Sequence, residues 1–235
     1  MTAKEIVEQL KPLGAESYKK VLRNHGVPEP LFGVKIEELK KFQKRIKQDY
    51  QLALDLFDTG NYDAMYLAGL IADDMKMSKK DLQQWAKKAH CQGISEYTVP
   101  WVASESRFGL ELAREWIESK QESIAATGWA TLSSLLAIKD DAELDVTELK
   151  KLLERVQKTI HQQPNRVRYT MNGFVVAVGS YVRELTEPAM QTAKQMGAVT
   201  VEMDGTACKV PSAADYILKM QKRGAIGKKR KTAKC

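Results

Sequence analysis

The chain has 235 residues, which is enough to bury a substantial core in one large domain or in an elongated array. Hydrophobic residues make up 43% and charged residues 29%, an ordinary composition for a soluble protein. No segment approaches the ~18–20 apolar residues of a membrane span, and the N-terminus lacks the apolar stretch of a secretory signal. We therefore expect a cytoplasmic protein with no membrane partner.

Cysteine usage argues against a disulfide framework and against a metal centre. Cys91, Cys208 and Cys235 are far apart and odd in number. A zinc site needs closely spaced ligand pairs, and although His90 precedes Cys91, no further ligand lies at a suitable spacing. We expect no metal and no other cofactor.

The net charge of +7 is concentrated at the C-terminus. Residues 222–235 hold seven of the 37 basic residues and no acid, so residues 1–221 carry 30 charges of each sign. Such a segment either binds a polyanion by counterion release or stays solvated. We divide the chain into a helical domain at 1–221 and a basic tail at 222–235, whose KKRK segment (228–231) we expect to be mobile. The candidate nucleic-acid contacts of the tail are Lys228, Lys229, Arg230 and Lys231.

Helical periodicity dominates the chain. Residues 35–47 place one apolar stripe opposite a row of lysines. Beyond residue 60, segments rich in small residues alternate with charged amphipathic segments. The small-residue segments are 61–73, 95–106, 123–138 and 166–182, and the charged segments are 78–89, 108–120 and 145–160.

Strand signals are confined to residues 197–211. There Val199 and Val201 precede the turn dipeptide Asp204–Gly205. We expect at most a small β-hairpin near residues 198–210.

The alternation of two helix types indicates helical pairs stacked into a solenoid. A helix that is apolar or small on most faces has neighbours on most sides, whereas a charged helix covers it on one side only. The aromatics Tyr66, Trp101, Trp129 and Phe174 are 35, 28 and 45 residues apart, close to a HEAT-type period but irregular. We predict an all-α, HEAT-like superhelix of about five to six pairs; the alternative is an irregular helical globule.

Stacked pairs form an inner layer that lines a concave surface, and the small-residue helices are candidates for it. Arg166 and Arg168 stand at the start of one such helix, where a basic side chain does not complement the helix dipole. A bound phosphate would suit both the arginines and the dipole. Alternatively, the arginines pair with acids of an adjacent helix.

The chain also resembles a known family, the AlkD-type DNA alkylation repair proteins, a HEAT-like superfamily of bacteria. The likeness lies in FGVKIEELKKFQK, ISEYTVPWV, ATGWATLSSL and RVRYTMNGFVV. The ending, GTACKVPSAADYI followed by RGAIGKKRKTAKC, looks like that of one divergent branch. The resemblance implies a monomeric protein of the bacterial cytosol or nucleoid that binds double-stranded DNA in its concave face.

Active members of this family hydrolyse the glycosidic bond of N3- and N7-alkylpurines, with aromatic side chains and an aspartate facing the lesion's deoxyribose. An alkylated purine leaves readily, so the enzyme need only stabilise oxocarbenium-like charge and position water. By this resemblance the candidate nucleic-acid contacts of the helical domain are Tyr97, Trp101, Arg107, Trp129, Arg166, Arg168 and Phe174.

The catalytic pattern of the active members is not matched. Their aspartate corresponds to the position near Val99, one tryptophan to the position near Ser95 and a second to the position near Phe174. Glu96 is the one carboxylate at this place; it is either the catalytic acid or an ordinary first-turn glutamate with a lowered pKa. We therefore predict a DNA-binding protein with weak or absent glycosylase activity. The alternative is a non-catalytic module for branched DNA, RNA or a protein partner.

Overall fold

The structure, a computed structural model, describes residues 1–203, 205–206 and 208–235. In this part of the chain thirteen α-helices and no strands are present, so the all-α prediction is confirmed. The helices are α1 (Ala3–Leu10), α2 (Glu16–Asn24), α3 (Ile36–Ile46), α4 (Tyr50–Asp58), α5 (Tyr62–Ile71), α6 (Lys79–Lys88), α7 (Val99–Glu105), α8 (Gly109–Trp116), α9 (Glu122–Ile138), α10 (Val146–Thr159), α11 (Asn165–Tyr181), α12 (Thr186–Met196) and α13 (Ala213–Lys222). A turn of π-helix, Ile94–Thr98, leads directly into α7.

The predicted hairpin near residues 198–210 falls partly outside the described residues, because Asp204 in its turn is one of those not described. On either side of that position, the described residues 197–203 and 208–212 form no strand. As for membranes, none of the helices in the described ranges is both long enough and apolar enough to cross a bilayer.

The helices stack as pairs in two layers. After α1–α3, the pairs are α4–α5, α6–α7, α8–α9, α10–α11 and α12–α13. The second helix of each pair packs against its counterparts in neighbouring pairs, most extensively α9 against α11. The inner layer therefore consists of α5, α7, α9, α11 and α13. Four of these five are the predicted small-residue helices.

Local sequence explains why the inner helices are buried on most sides. Asn61 caps α5 by accepting from the amides of Asp63 and Ala64, and every residue from Asp63 to Ile71 is buried. In α9 twelve of the seventeen residues are buried. The outer helix α10, by contrast, buries a single stripe of Leu149, Leu152, Leu153 and Val156.

Residues 225–235, which we name the C-terminal strap, lie across the carboxyl ends of four inner helices. These ends carry backbone carbonyls that no helical amide can satisfy. From α11 back to α5 the strap contacts are Gly227 N to Ser180 O (2.9 Å), Arg230 N to Ala137 O (2.7 Å), Ala233 N to the Glu105 carboxylate (2.6 Å) and Lys234 Nζ to Ala72 O (3.0 Å). The strap is thus seated on the inner layer.

Two lysines of the strap complement negative groups at these helix ends. Lys234 pairs with Asp74 at 2.8 Å, and the two side chains are only 8% and 7% exposed. Burial raises the pKa of Asp74 to about 6, and the Lys234 ammonium opposes that rise. Lys229 contacts Leu136 O at 3.0 Å and Asp141 at 2.7 Å. The expectation of a mobile tail is therefore wrong for the strap. Its residues Lys229 and Lys234 form ion pairs with acids of the helical domain and donate to carbonyl oxygens at helix ends.

Close packing of α9 on α8 gives a direct test of the fold. A Cβ at Gly128 would lie 2.6 Å from the backbone nitrogen of Ile117, a contact that the helices must move apart to relieve. We expect Gly128→Ala to lower the free energy of unfolding by about 1–3 kcal/mol. The matched control is Gly173→Ala in α11, whose Cβ would meet nothing within 4 Å.

Because the control gains only helix propensity, it should raise the free energy of unfolding by about 0.5–1 kcal/mol. Urea unfolding monitored by circular dichroism measures both variants. Equal stability of the two variants would contradict the close approach of α8 and α9.

Candidate nucleic-acid interface

A cavity of about 320 Å³ opens on the inner layer between α7, α9, α11, α13 and the strap. We name it the aromatic cavity, because five aromatic side chains line it. Its aromatic residues are Tyr97, Trp101, Tyr169, Tyr181 and Tyr216, and its hydrogen-bonding and charged residues are Glu96, Ser133, Ser134, Thr170, Asn172 and Arg230. It thus combines apolar walls with a few polar groups, as small-ligand sites do.

The π-helical turn before α7 sets the position of the first two aromatics. Tyr97 is 44% exposed, whereas Trp101 is 7% exposed. The Trp101 ring stands edge-on to Tyr97, with centroids 6.2 Å apart, and edge-on to Tyr66, with centroids 5.4 Å apart. Trp101 is therefore anchored in the core and Tyr97 reaches outward from it. Both predicted residues border the cavity.

Glu96 forms a bidentate ion pair with Arg166 at the floor of the cavity. Arg166 Nε donates to Oε1 and Nη2 to Oε2, each at 2.7 Å. The side chains are 2% exposed for Glu96 and 17% for Arg166. The Arg166 guanidinium also lies over the Tyr169 ring, 4.5 Å from its centroid. Of the two alternatives for Arg166, the structure shows pairing with an acid of a neighbouring segment.

This environment also corrects the alternative of an ordinary first-turn glutamate with a lowered pKa. Burial raises the pKa of Glu96, and the hydrogen bonds from Arg166 oppose that rise. Both oxygens of the Glu96 carboxylate accept hydrogen bonds from the Arg166 guanidinium. In addition, Val99 is fully buried and Ser95 is 4% exposed. The site thus presents an ion pair where a glycosylase would need an accessible carboxylate.

Trp129 and Phe174 lie in the core and not on the inner surface. They are 1% and 0% exposed, and their rings pack edge to face with centroids 5.1 Å apart. Because both side chains are buried, neither is available to contact a nucleic acid, and the expectation that they do so is corrected. The reason is that α9 and α11 are covered on most sides, including the side that carries these aromatics.

Arg107 and Arg168 lie away from the cavity lining. Arg107 is exposed, and its guanidinium lies 4.9 Å from the centroid of the Phe108 ring. Arg168 is half-buried and donates to the Asn165 side chain at 3.3 Å. Among the tail residues Arg230 lines the cavity, Lys229 is bound to Asp141, and Lys228 and Lys231 are exposed.

Three tyrosines of the cavity were not predicted from the sequence. Tyr169 and Tyr181 lie on one face of α11 together with Gly173 and Ala177, and Tyr216 faces them from α13. The spacing of Tyr169, Gly173, Ala177 and Tyr181, four residues at each step, is the signal that identifies this face. As for metals, the described residues contain no group of three or more His, Cys, Asp or Glu side chains placed to hold an ion.

The buried ion pair predicts an asymmetric response to mutation. Arg166→Met leaves the Glu96 carboxylate buried without a partner, and we expect it to lower the free energy of unfolding by about 3–5 kcal/mol. The double variant Glu96→Gln/Arg166→Met removes the stranded charge and should recover a large part of that loss. Thermal or urea unfolding of the two single variants and the double variant measures the coupling. If the losses in free energy of unfolding of the two single variants simply add up in the double variant, the ion pair is contradicted.

Comparison with known proteins agrees with this fold. The family model described as DNA alkylation repair enzyme matches residues 6–204. The uncharacterised proteins Lin0241 of Listeria innocua and Lmo0209 of Listeria monocytogenes are 32% and 33% identical over 229 residues, 95% of this chain and 99% of each relative.

A solved structure, described as belonging to a new family related to the HEAT-like repeat DNA glycosylases with affinity for branched DNA structures, matches over the full length of both chains. Its TM-score is 0.93 and its sequence identity 36%. The predicted HEAT-like architecture is therefore confirmed, and so is the resemblance on which the functional expectations rest. This chain belongs to the DNA alkylation repair family.

Proposed function

We propose that this protein binds DNA, prefers branched DNA over linear duplex, and has at most weak glycosylase activity. The main observation in support of weak glycosylase activity is the ion pair between Glu96 and Arg166. A carboxylate that stabilises developing charge on a sugar must face the reacting atoms. Here the carboxylate is 2% exposed and both of its oxygens accept from one arginine.

The preference for branched DNA is supported by the solved relative. That protein is described as having affinity for branched DNA structures, and it shares the whole fold at 36% identity. The aromatic cavity adds a second support, because rings on the inner surface suit bases that are not stacked in a duplex. The double-stranded arms of such a DNA lie in the concave face, and the protein acts as a monomer in the cytoplasm.

In this proposal DNA is attracted by the basic side chains of the strap that form no ion pair with the described residues of the helical domain. Lys229 and Lys234 are paired with Asp141 and Asp74. Lys228 and Lys231 are exposed and take part in no ion pair within the described ranges. Arg230 is exposed beside the cavity. These three side chains form a basic rim for phosphates next to the aromatic cavity.

Two assays test the proposal on one preparation. Fluorescence anisotropy compares a three-way junction with a linear duplex of equal length, and we expect tighter binding of the junction. Release of N3-methyladenine and N7-methylguanine from alkylated duplex is scored beside an active family member. Because a positioned carboxylate contributes about 10²–10³ in rate, excision should be slower by at least that factor.

Excision at the rate of the active member would overturn the weak-activity part of the proposal. Glu96→Gln would then decide whether Glu96 is the acid, provided that folding and DNA affinity are retained. Equal affinity for junction and duplex would overturn the branched-DNA part. Tighter binding of RNA than of either DNA would favour the alternative of an RNA-binding module.

The basic rim predicts a change in salt dependence. We expect Lys228→Ser/Lys231→Ser to reduce the slope of log Kd against log salt concentration by about 1–2, because each phosphate contact contributes about 0.9. The matched control is Lys87→Ser/Lys151→Ser, which removes the same charge from exposed positions on the outer helices α6 and α10. An equal change in both double variants would show that the strap does not touch phosphate.

A further inference from the structure

We propose that the aromatic cavity receives a single unpaired nucleobase of the bound DNA, stacked between Tyr97 and the tyrosines of α11 and α13. The inference rests on the proposed function and adds the chemical group that the protein recognises. It assigns to the cavity a role in recognition and none in bond cleavage.

Exposure of aromatic side chains is the first observation. Among the large hydrophobic side chains that are exposed in the described part of the chain, two are aromatic, Tyr97 and Tyr216, each 44% exposed. Both border the same cavity, although they are 119 positions apart in sequence and lie on different helices. Exposed rings gathered at one opening indicate a site for a planar apolar partner.

The size and the walls of the cavity fit one base. Its 320 Å³ is at the lower end of the range of pockets that hold small organic ligands, about 300–1,000 Å³. Tyr169 and Tyr181 lie three turns apart on one face of α11, and Gly173 lies between them. A Cβ at Gly173 would meet nothing within 4 Å, so the wall of α11 is open at the level of these rings.

The polar groups suit a nucleotide better than a purely apolar ligand. Within the described ranges the Arg230 guanidinium donates one hydrogen bond, to Lys234 O at 3.2 Å, which leaves most of its donors for a phosphate. Asn172 is held by its amide donating to Pro211 O at 3.0 Å, and Ser134 stands opposite on α9. At the floor the Glu96 charge is balanced by Arg166. The cavity therefore presents no uncompensated negative charge to a phosphodiester.

Energetics favour a base that is already unpaired. Base–aromatic stacking contributes about 1–3 kcal/mol per base, whereas extrusion from a duplex costs a few kcal/mol. A base at a branch point or bulge avoids that cost. The cavity thus gives a physical reason for a preference for branched over linear DNA.

The test uses the full chain and a three-way junction with one unpaired 2-aminopurine at the branch point. We expect binding to change the 2-aminopurine fluorescence, and Tyr97→Ala and Gly173→Leu to abolish that change. Both variants should also lower, by about tenfold, the ratio of affinity for this junction to affinity for the same junction without the unpaired base. Gly173→Leu fills open space, and Tyr97 is exposed, so both variants should fold; circular dichroism verifies this.

The matched control is Leu218→Ala, which truncates an exposed apolar residue of α13 that does not line the cavity; it should leave the affinity ratio unchanged. Junction binding without a fluorescence change would overturn the base-receiving role and leave the proposed function standing. Failure of the wild-type chain to bind any junction would overturn both. Binding of free adenosine as tightly as the junction, measured by tryptophan fluorescence, would identify a site for a small nucleoside and overturn the assignment to DNA.

Discussion

The bidentate contact between Glu96 and Arg166 joins the π-helical turn before α7 to the first turn of α11, 70 residues further along the chain. It fixes the floor of the aromatic cavity, since Tyr169 stacks on the same guanidinium. It also sets the charge of the site, because the Glu96 carboxylate is bound to a permanent cation. One interaction thus shapes the cavity and balances the charge of its carboxylate.

The two layers could be predicted from the sequence because helices buried on most sides are rich in small residues. Helices buried on one side only are charged and amphipathic. Small-residue composition could not show which face of an inner helix lines the concave surface. Trp129 and Phe174 were therefore expected at the surface although they face each other inside the core. The four-residue spacing of Tyr169, Gly173, Ala177 and Tyr181 was available in the sequence. The partner of Glu96 was not, since nothing local to residue 96 indicates Arg166.

The strap shows a different limit of composition. Residues 222–235, which include the strap, hold seven basic residues and no acid, a composition that indicates a polyanion partner. A charge count cannot distinguish a phosphate from the carbonyl end of a helix. Lys229 and Lys234 bind internal groups, while Lys228, Arg230 and Lys231 remain exposed, and Arg230 lines the cavity. A single basic segment therefore serves two purposes. Part of it completes the helical domain, and part of it adds positive potential to the face where the aromatics lie.

The strap also alters how such an array holds together. In a plain stack of repeats each unit contacts only its neighbours, so one end can unravel while the other persists. Here Lys229 and Lys234 contact residues 93 and 162 positions earlier in the chain. Such long-range links are slow to close in folding, because they must wait until the intervening helices have stacked. Once closed, they couple the first inner helix to the last, and we expect the array to unfold as one cooperative unit instead of fraying from its ends.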